Sequence, residues 1–149
     1  GGMVVCEQLK IMTDRSLKEQ YLLLRDNPAD LSEGAQRLMR PAKKCGLFKN
    51  LQVTAGSIGL SVARLWKEEV VACILSPSLE KPWDLCPVLG ITKKLGFLFF
   101  EIDPENGKLT KVEMNPSPEN IKWEKERLIV HRAYLSQVSD YNCGMPVGL

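Results

Sequence analysis

The alternation of hydrophobic and polar residues is clearest between residues 95 and 114, where an apolar run is followed by a turn and an alternating return. This pattern predicts a β-hairpin, because strands have a side-chain period of two and are bounded by turn residues. The first strand is apolar on both of its faces, with Phe97 and Phe99 on one and Leu98, Phe100 and Ile102 on the other. We therefore expect both faces to be covered by other elements or by another molecule.

The turn of this hairpin spans residues 103–107. Asp103 is suited to accept backbone hydrogen bonds, Pro104 fixes φ at the next position, and Asn106-Gly107 tolerates left-handed backbone. The acidic and amide side chains here could also coordinate a metal ion. Because the turn itself requires these residue types, we predict a turn and no metal site.

Helical periodicity dominates the first third of the chain. Apolar residues recur at i, i+4 and i+7, and Ser16 and Glu19 have the spacing of a capping box, so a helix is predicted over about 14–26. A second short helix is predicted over about 31–40, before Pro41. We expect these two helices to form an antiparallel pair.

Residues 47–75 fit two templates. The segment Ile58–Trp66 has a tolerable apolar stripe as a helix and a consistent face as a strand, and a β-meander is favoured over strand–helix–strand. Val70–Leu75 is predicted to be a buried strand. The glycines at 56 and 59 match neither the P-loop nor the dinucleotide-binding pattern, so a plain turn is predicted there.

Residues 76–94 contain three prolines and are predicted to form a long loop. Loops of this length in compact domains are often functional. Trp is common among the residues that dominate protein interfaces, although it could equally fill the core of the domain. The predicted partner-binding residues of this loop are Trp83, Asp84, Leu85 and Val88.

The last third of the chain restarts after the prolines at 116 and 118. Ser117 and Pro118 are suited to open a helix that extends to about Glu126. Arg127–Leu135 then fits a strand, with a continuous helix as the competing interpretation. Residues 139–149 are predicted to be a flexible tail.

Length and composition indicate one ordinary domain: 149 residues, 44% apolar, 26% charged, net charge +2. No apolar run is long enough to span a membrane, and no signal peptide is evident. Gly1-Gly2 before Met3 resembles a cloning scar, and the chain could be a fragment of a longer protein. The expected fold class is α+β, an antiparallel sheet of about four to six strands packed against the N-terminal helical pair, with a further helix near the C-terminus.

The cysteines, at 6, 45, 73, 86 and 143, are scattered and include no C-x-x-C pair. With His131 as the single histidine, neither a zinc site nor any other metal or cofactor is predicted. Free thiols favour a cytoplasmic or nuclear location. A cysteine hydrolase that pairs Cys86 or Cys143 with His131 is the third functional hypothesis.

A basic surface is predicted across the end of the second helix and the loop after it: Arg37, Arg40, Lys43, Lys44, Lys49. Part of it is expected in any case, because cations are favoured at helix C-termini. Together with Trp66 or Trp123, these cations would suit single-stranded nucleic acid. A nucleic-acid-binding domain is therefore the alternative function.

The favoured hypothesis is a non-enzymatic protein-interaction or regulatory domain that uses the Pro/Trp loop and the basic surface. Another protein is the expected partner, nucleic acid is the alternative, and no membrane partner is expected. A homo-oligomer could form through an uncovered face or edge of the sheet.

Overall fold

The computed structural model describes residues 16–41, 46–54, 58–80, 82–113 and 121–144. Within these ranges the backbone alone is described at 58–60, 78–80, 82–86 and 121–123. In the described part of the chain, no helix is both long enough and apolar enough to cross a membrane.

The described residues form eight strands, four α-helices and three short 3₁₀ turns. The strands are β1 (Tyr21–Leu24), β2 (Asn50–Val53), β3 (Ala72–Leu75), β4 (Ser78–Glu80), β5 (Phe97–Ile102), β6 (Leu109–Val112), β7 (Ile121–Trp123) and β8 (Arg127–His131). The helices are α1 (Glu33–Met39), α2 (Ile58–Trp66), α3 (Pro82–Lys94) and α4 (Leu135–Cys143). The 3₁₀ turns are Leu17–Glu19, Pro28–Asp30 and Arg132–Tyr134.

Six strands form a mixed sheet in the order β2-β1-β3-β8-β5-β6. β1 pairs in parallel with β2 and with β3, and the remaining pairs are antiparallel. β4 and β7 form a separate antiparallel pair that prolongs the pairing of β3 with β8 beyond one edge of the sheet. β1, β2, β3 and β5 all run in the same direction, so their carboxyl ends lie at one edge of the sheet.

The sheet is covered on both faces, which gives the chain three layers. One core cluster unites the sheet with α1 and α4, and its central side chains include Leu24, Leu38 and Val138. The other unites the sheet with α2 and α3 and includes Leu23, Leu65 and Leu89. Trp66 joins α2 to α3, since its indole N–H donates to Thr92 Oγ1 at 2.9 Å.

The predicted hairpin is confirmed as β5 and β6, and helices of this chain cover both faces of its first strand. Phe97 and Phe99 lie in the core beneath α2 and α3, whereas Phe100 and Ile102 lie in the core beneath α1 and α4. At the turn, Gly107 has φ +79°, a left-handed conformation that glycine adopts without steric cost. No second molecule is needed to bury this strand.

The α+β class and the six strands are confirmed, but two parts of the predicted fold are wrong. The sheet is mixed rather than antiparallel, and there is no N-terminal helical pair in the described residues. Residues 21–24, expected inside a helix, form β1, in which three of four side chains are buried. A strand with a neighbour on each side and a helix layer on each face is apolar throughout, so it has no alternating pattern to distinguish it from a helix.

Two further elements differ from the prediction. Ile58–Trp66 is the helix α2 and not part of a β-meander, and the predicted loop 76–94 contains β4 and the 13-residue helix α3. Pro82 occupies the first position of α3, where a missing N–H costs no helical hydrogen bond. Pro87 lies inside the helix on its exposed side.

The C-terminal helix is present as α4, and the first four residues of the helix predicted from Ser117 to about Glu126 lie outside the described residues. Ile121–Trp123 is the strand β7, and α4 begins only at Leu135. The strand predicted over Arg127–Leu135 is present only in its first part, as β8, because Arg132–Tyr134 form a 3₁₀ turn and Leu135 begins α4. Residues 139–143, expected in a flexible tail, form the second half of α4, whereas 145–149 lie outside the described residues.

Candidate functional site

Polar residues follow three neighbouring parallel strands at the carboxyl edge of the sheet. Arg25 and Asp26 follow β1, Thr54 follows β2, and Ser76 follows β3. The chain leaves β1 through α1 to β2 on one side, and returns through α2 to β3 on the other. The carboxyl ends of β1 and β3 therefore form a topological switch point, the place where ligands bind in open α/β sheets.

Hydrogen bonds tie the ends of these strands together. The Thr54 N–H donates to the Leu24 carbonyl at 2.9 Å, which extends the pairing of β1 with β2 by one residue. The Ser76 hydroxyl donates to a carboxylate oxygen of Asp26. This bond joins the ends of β1 and β3 across the switch point, so two residues 50 positions apart in the sequence form one polar group.

The half-buried Arg25 supplies positive charge at this edge. Cys73 is fully buried on β3 and interacts electrostatically with Arg25. Burial raises the pKa of the Cys73 thiol to about 12, the Arg25 charge lowers this pKa, and the Asp26 charge raises it. Cys73 belongs to the core beneath α2 and α3. The Arg25 charge therefore lies within electrostatic reach of that layer.

Three helices begin at the same edge, because α1, α2 and α3 each follow a strand that ends there. The positive ends of their dipoles point towards this edge. The N–H groups at the start of α1 already have acceptors within the chain. The buried Glu126 carboxylate accepts the Ser32 N–H at 2.7 Å, and the Pro104 carbonyl accepts the Gly34 N–H at 2.9 Å. α2 and α3 lie together on the other face, the face to which Cys73 belongs.

An arginine, a serine–carboxylate pair and two helix N-termini at one switch point form an arrangement suited to bind anions. A guanidinium binds phosphate through two parallel hydrogen bonds, and helix N-termini favour phosphate groups. The Asp26 carboxylate can in addition accept hydrogen bonds from hydroxyl groups of a ligand.

The predicted loop residues lie at the start of α3, at this same edge. Trp83, Asp84 and Leu85 belong to its first turn. Val88 lies one turn further and is half-buried against the core between α2 and α3. The structure thus brings the backbone of these residues to the switch-point edge, on a helix rather than on a loop. Their role in binding a partner is untested and stays a prediction.

The predicted basic surface lies at the opposite edge of the sheet. α1 runs back from the carboxyl edge, so Arg37 in its last turn and the exposed Arg40 just after it lie near the start of β2. Lys49 is exposed there, with its ammonium 5.6 Å from the centre of the Tyr21 ring. Lys43 and Lys44 lie outside the described residues. This surface also stays a prediction.

His131 is fully engaged in structural hydrogen bonds. The Ala133 N–H donates to Nδ1 at 3.1 Å, and Nε2 lies 3.0 Å from the Leu95 carbonyl, to which it donates. Burial lowers the pKa of the imidazole. Cys143, one of its predicted partners, is an exposed free thiol at the end of α4, and the Cys86 side chain is not among those described.

The acidic side chain of the hairpin turn is likewise held by hydrogen bonds within the chain. The Asp103 carboxylate accepts the backbone N–H groups of Glu105 and Asn106 at 2.8 and 3.0 Å, and these bonds lower the pKa of the carboxyl. Across the part of the chain that the structure describes, no three His, Cys, Asp or Glu side chains come together as metal ligands.

No family model and no curated protein matches the sequence. Solved structures of inositol monophosphatases do match the fold. A staphylococcal enzyme with inositol monophosphate bound has a TM-score of 0.56 at 15% identity, covering 91% of this chain and 46% of its own. The same enzyme with 2′-AMP bound has a TM-score of 0.51 at 17% identity, covering 91% and 46%. The enzyme from the cyanobacterium Anabaena has a TM-score of 0.54 at 12% identity, covering 93% and 50%.

This chain therefore spans about half the length of the structures it matches, and at these identities the likeness shows the fold. A fold shared with half of a phosphatase contradicts the expected non-enzymatic protein-interaction or regulatory domain. It likewise contradicts the expectation that the chain is not an enzyme. Of the residues named for the two alternatives, Trp66 is partly buried against the core and His131 is bound on both ring nitrogens, whereas the Trp123 side chain is not among those described; nucleic acid as a partner stays a prediction.

Sequence reasoning missed Arg25, Asp26 and Ser76. The available signal was positional: each polar residue directly follows a run of buried apolar residues, at 22–24 and at 72–75. Only knowledge that these two strands pair in parallel would have brought their ends together.

Proposed function

We propose that this chain is the phosphate-ester-binding half of a phosphatase, and that the ester binds at the carboxyl edge between β1 and β3. The observation that carries the proposal is the hydrogen bond between Asp26 and Ser76 at the ends of β1 and β3, with Arg25 next to Asp26 in the chain, in a fold like that of about half of an inositol monophosphatase. The ligands of the two staphylococcal structures, inositol monophosphate and 2′-AMP, each carry one phosphate on a hydroxylated ring.

Each residue has a distinct role in this proposal. The Arg25 guanidinium binds two phosphate oxygens, a geometry that a lysine could not reproduce. The N-termini of α2 and α3 add positive potential around the same phosphate. Asp26, positioned by the Ser76 hydroxyl, accepts a hydroxyl group of the ring and so distinguishes a polyol phosphate from free phosphate.

The test is a nuclear magnetic resonance titration of the chain with inositol monophosphate. We expect saturable shifts of the backbone amides of Arg25, Asp26 and Ser76. Arg25→Gln should weaken binding about tenfold or more, because it removes charge-assisted hydrogen bonds. Ser76→Ala should weaken the binding of inositol monophosphate more than that of inorganic phosphate, since it no longer positions the Asp26 carboxylate that contacts the ring.

Arg40→Gln is the matched control, because it removes an exposed arginine at the opposite edge of the sheet and should leave the affinity unchanged. Equal losses of affinity in Arg25→Gln and Arg40→Gln would show that binding depends only on the net charge of the chain, and would overturn the proposed site. Chemical-shift changes confined to amides other than those of Arg25, Asp26 and Ser76 would also overturn the proposed site. Release of phosphate from inositol monophosphate, compared between the chain and Arg25→Gln, then tests turnover.

A further inference from the structure

The hairpin turn between β5 and β6 contains Asn106-Gly107, the only asparagine–glycine pair in the sequence. The Asn106 side chain is exposed, and glycine places no Cβ beside the backbone nitrogen that follows the asparagine. This nitrogen can attack the side-chain amide carbon of the preceding asparagine, a reaction that larger side chains obstruct. The turn therefore combines an accessible amide with an unobstructed nucleophile.

The turn folds the Asn106 side chain forward over the Gly107 backbone. Oδ1 of Asn106 accepts the Lys108 N–H at 2.8 Å, which brings its amide carbon towards the Gly107 nitrogen. The same hydrogen bond polarises the amide carbonyl and stabilises the negative charge that develops on Oδ1 during attack. The Gly107 N–H donates to the Asp103 carbonyl at 3.0 Å, and this bond must open before the nitrogen loses its proton.

The other asparagines each lack one of these features. Asn27 and Asn115 precede prolines, whose nitrogen carries no proton. Asn50 and Asn120 precede branched apolar residues. The Asn142 amide is bonded through both of its polar atoms to the backbone of β6, at 2.7 and 2.9 Å. Attack on an asparagine amide is therefore favoured at one position of the chain.

Behind the turn, the backbone is packed directly against α1. The Gly34 N–H donates to the Pro104 carbonyl at 2.9 Å, and a Cβ added at Gly34 would overlap the Asp103 carbonyl oxygen. A Cβ added at Gly107 would lie 2.6 Å from the Gly34 carbonyl oxygen. On the side of α4, the Tyr141 hydroxyl donates to the Gly107 carbonyl at 3.3 Å. The turn has no space for an additional backbone atom at this contact.

We propose that Asn106 is a deamidation site, and that its isoaspartyl product separates the hairpin turn from α1 and α4. The Gly107 nitrogen bonds to the side-chain carbon of Asn106, and the amide nitrogen leaves as ammonia with the proton that Gly107 loses. Water then cleaves one of the two C–N bonds of the resulting succinimide. Cleavage on the side-chain side gives aspartate, whereas cleavage on the backbone side gives isoaspartate, whose backbone continues through the former side chain.

The two products differ in whether the fold can accept them. Aspartate keeps the backbone geometry and still offers an oxygen to the Lys108 N–H. Isoaspartate lengthens the backbone by one methylene group directly before Gly107, where the contacts with Gly34 and Tyr141 leave no space. The turn must then move away from both helices, and its hydrogen bonds with Gly34 and Tyr141 are lost.

The test incubates the folded chain at neutral pH and physiological temperature, digests samples with trypsin and analyses the peptides by mass spectrometry. Asn106 lies in the tryptic peptide 95–108, apart from every other asparagine. We expect this peptide to be deamidated before those that contain Asn50 or Asn142, and to become a substrate for protein isoaspartyl methyltransferase. Asn106→Ser cannot form the succinimide and should abolish the methyl transfer. A folded chain that stays unmodified at Asn106 while the isolated peptide 95–108 reacts would overturn the site.

Asn106→Asp is the matched variant for the displacement of the turn, because it carries the charge of the products on an unchanged backbone. We expect its urea midpoint to stay close to that of the parent chain. The isoaspartyl chain, purified from aged protein, should unfold at lower urea concentration and show shifted backbone amide resonances at Gly34 and Tyr141. Equal urea midpoints for the isoaspartyl chain and Asn106→Asp would overturn the displacement.

Discussion

The His131 imidazole makes two hydrogen bonds that require opposite roles of its ring nitrogens. Nδ1 accepts from the Ala133 N–H, so it cannot carry a proton, and Nε2 donates to the Leu95 carbonyl. The folded chain therefore holds the neutral imidazole, and protonation of Nδ1 would direct two N–H groups at each other. Burial, the leading cause, lowers the pKa of this group below its ordinary value near 6.5.

This geometry predicts that His131 makes stability depend on pH. Below about pH 6.5 the unfolded chain binds the proton more readily than the folded chain, so the free energy of unfolding falls as pH decreases towards the folded pKa. The stabilisation is fully present above pH 6.5, and its slope is at most about 1.4 kcal/mol per pH unit for one proton. Urea unfolding at several pH values measures it.

His131→Asn is the matched variant, since asparagine can still accept the Ala133 N–H but does not titrate. The difference between the parent chain and this variant isolates the histidine from the carboxylates, which titrate at lower pH. Parallel stability curves for the two proteins between pH 7.5 and 5 would contradict the prediction.

At the scale of elements, the start of α1 is completed by a residue from a distant part of the chain. In a capping box, the N-cap side chain accepts the N–H of the third helical residue, whose own carboxylate accepts the N-cap N–H. Ser32 Oγ does accept from the Ala35 N–H at 3.2 Å, but alanine has no carboxylate. Glu126, 94 residues away in the sequence, supplies it at 2.7 Å.

We therefore expect Glu126→Ala to reduce the free energy of unfolding by about 1–3 kcal/mol, because it leaves the part-buried Ser32 N–H without its acceptor. Glu126→Gln should reduce the free energy of unfolding by less, since the glutamine amide oxygen can still accept the Ser32 N–H. The exposed Glu124→Ala, two residues earlier, is the control and should change stability by less than ~0.5 kcal/mol. Similar urea midpoints for Glu126→Ala and Glu124→Ala would show that the carboxylate does not stabilise α1.

The elements that could be predicted were those with a local signature. The hairpin of β5 and β6 has its own turn, which Asp103 and Gly107 specify through nearby backbone bonds. β1 lacks such a signature, because both of its partners, β2 and β3, lie far along the sequence. α3 was hidden by its prolines, which favour a loop in the absence of the core that Leu89 joins.

At the scale of the whole molecule, the candidate site could not be predicted for the same reason. Arg25 and Ser76 are ordinary polar residues after apolar runs until parallel pairing of β1 with β3 places their strands side by side. The sequence did direct attention to Trp83 and Asp84, which start α3 at that same edge. The local sequence thus indicated one part of this edge. The parallel pairing of β1 with β3, which brings the other residues together, produces no local sequence pattern.

The central position of β3 predicts a large difference in reactivity between two thiols of the same chain. Cys73 is fully buried on β3, between β1 and β8, and burial raises its pKa to about 12. Cys143 is exposed at the end of α4. A thiol reagent reaches Cys73 only when the sheet opens, an event governed by the global stability of about 5–15 kcal/mol typical of domains.

We expect N-ethylmaleimide to modify Cys143 at least about a thousandfold faster than Cys73 under native conditions. Mass spectrometry of the peptides that contain each cysteine measures both rates in one sample. In concentrated urea the two rates should converge, which excludes an intrinsic difference between the peptides. Native rates within tenfold of each other would mean that β3 opens locally, and would contradict a sheet in which β3 is the central, cooperatively held strand.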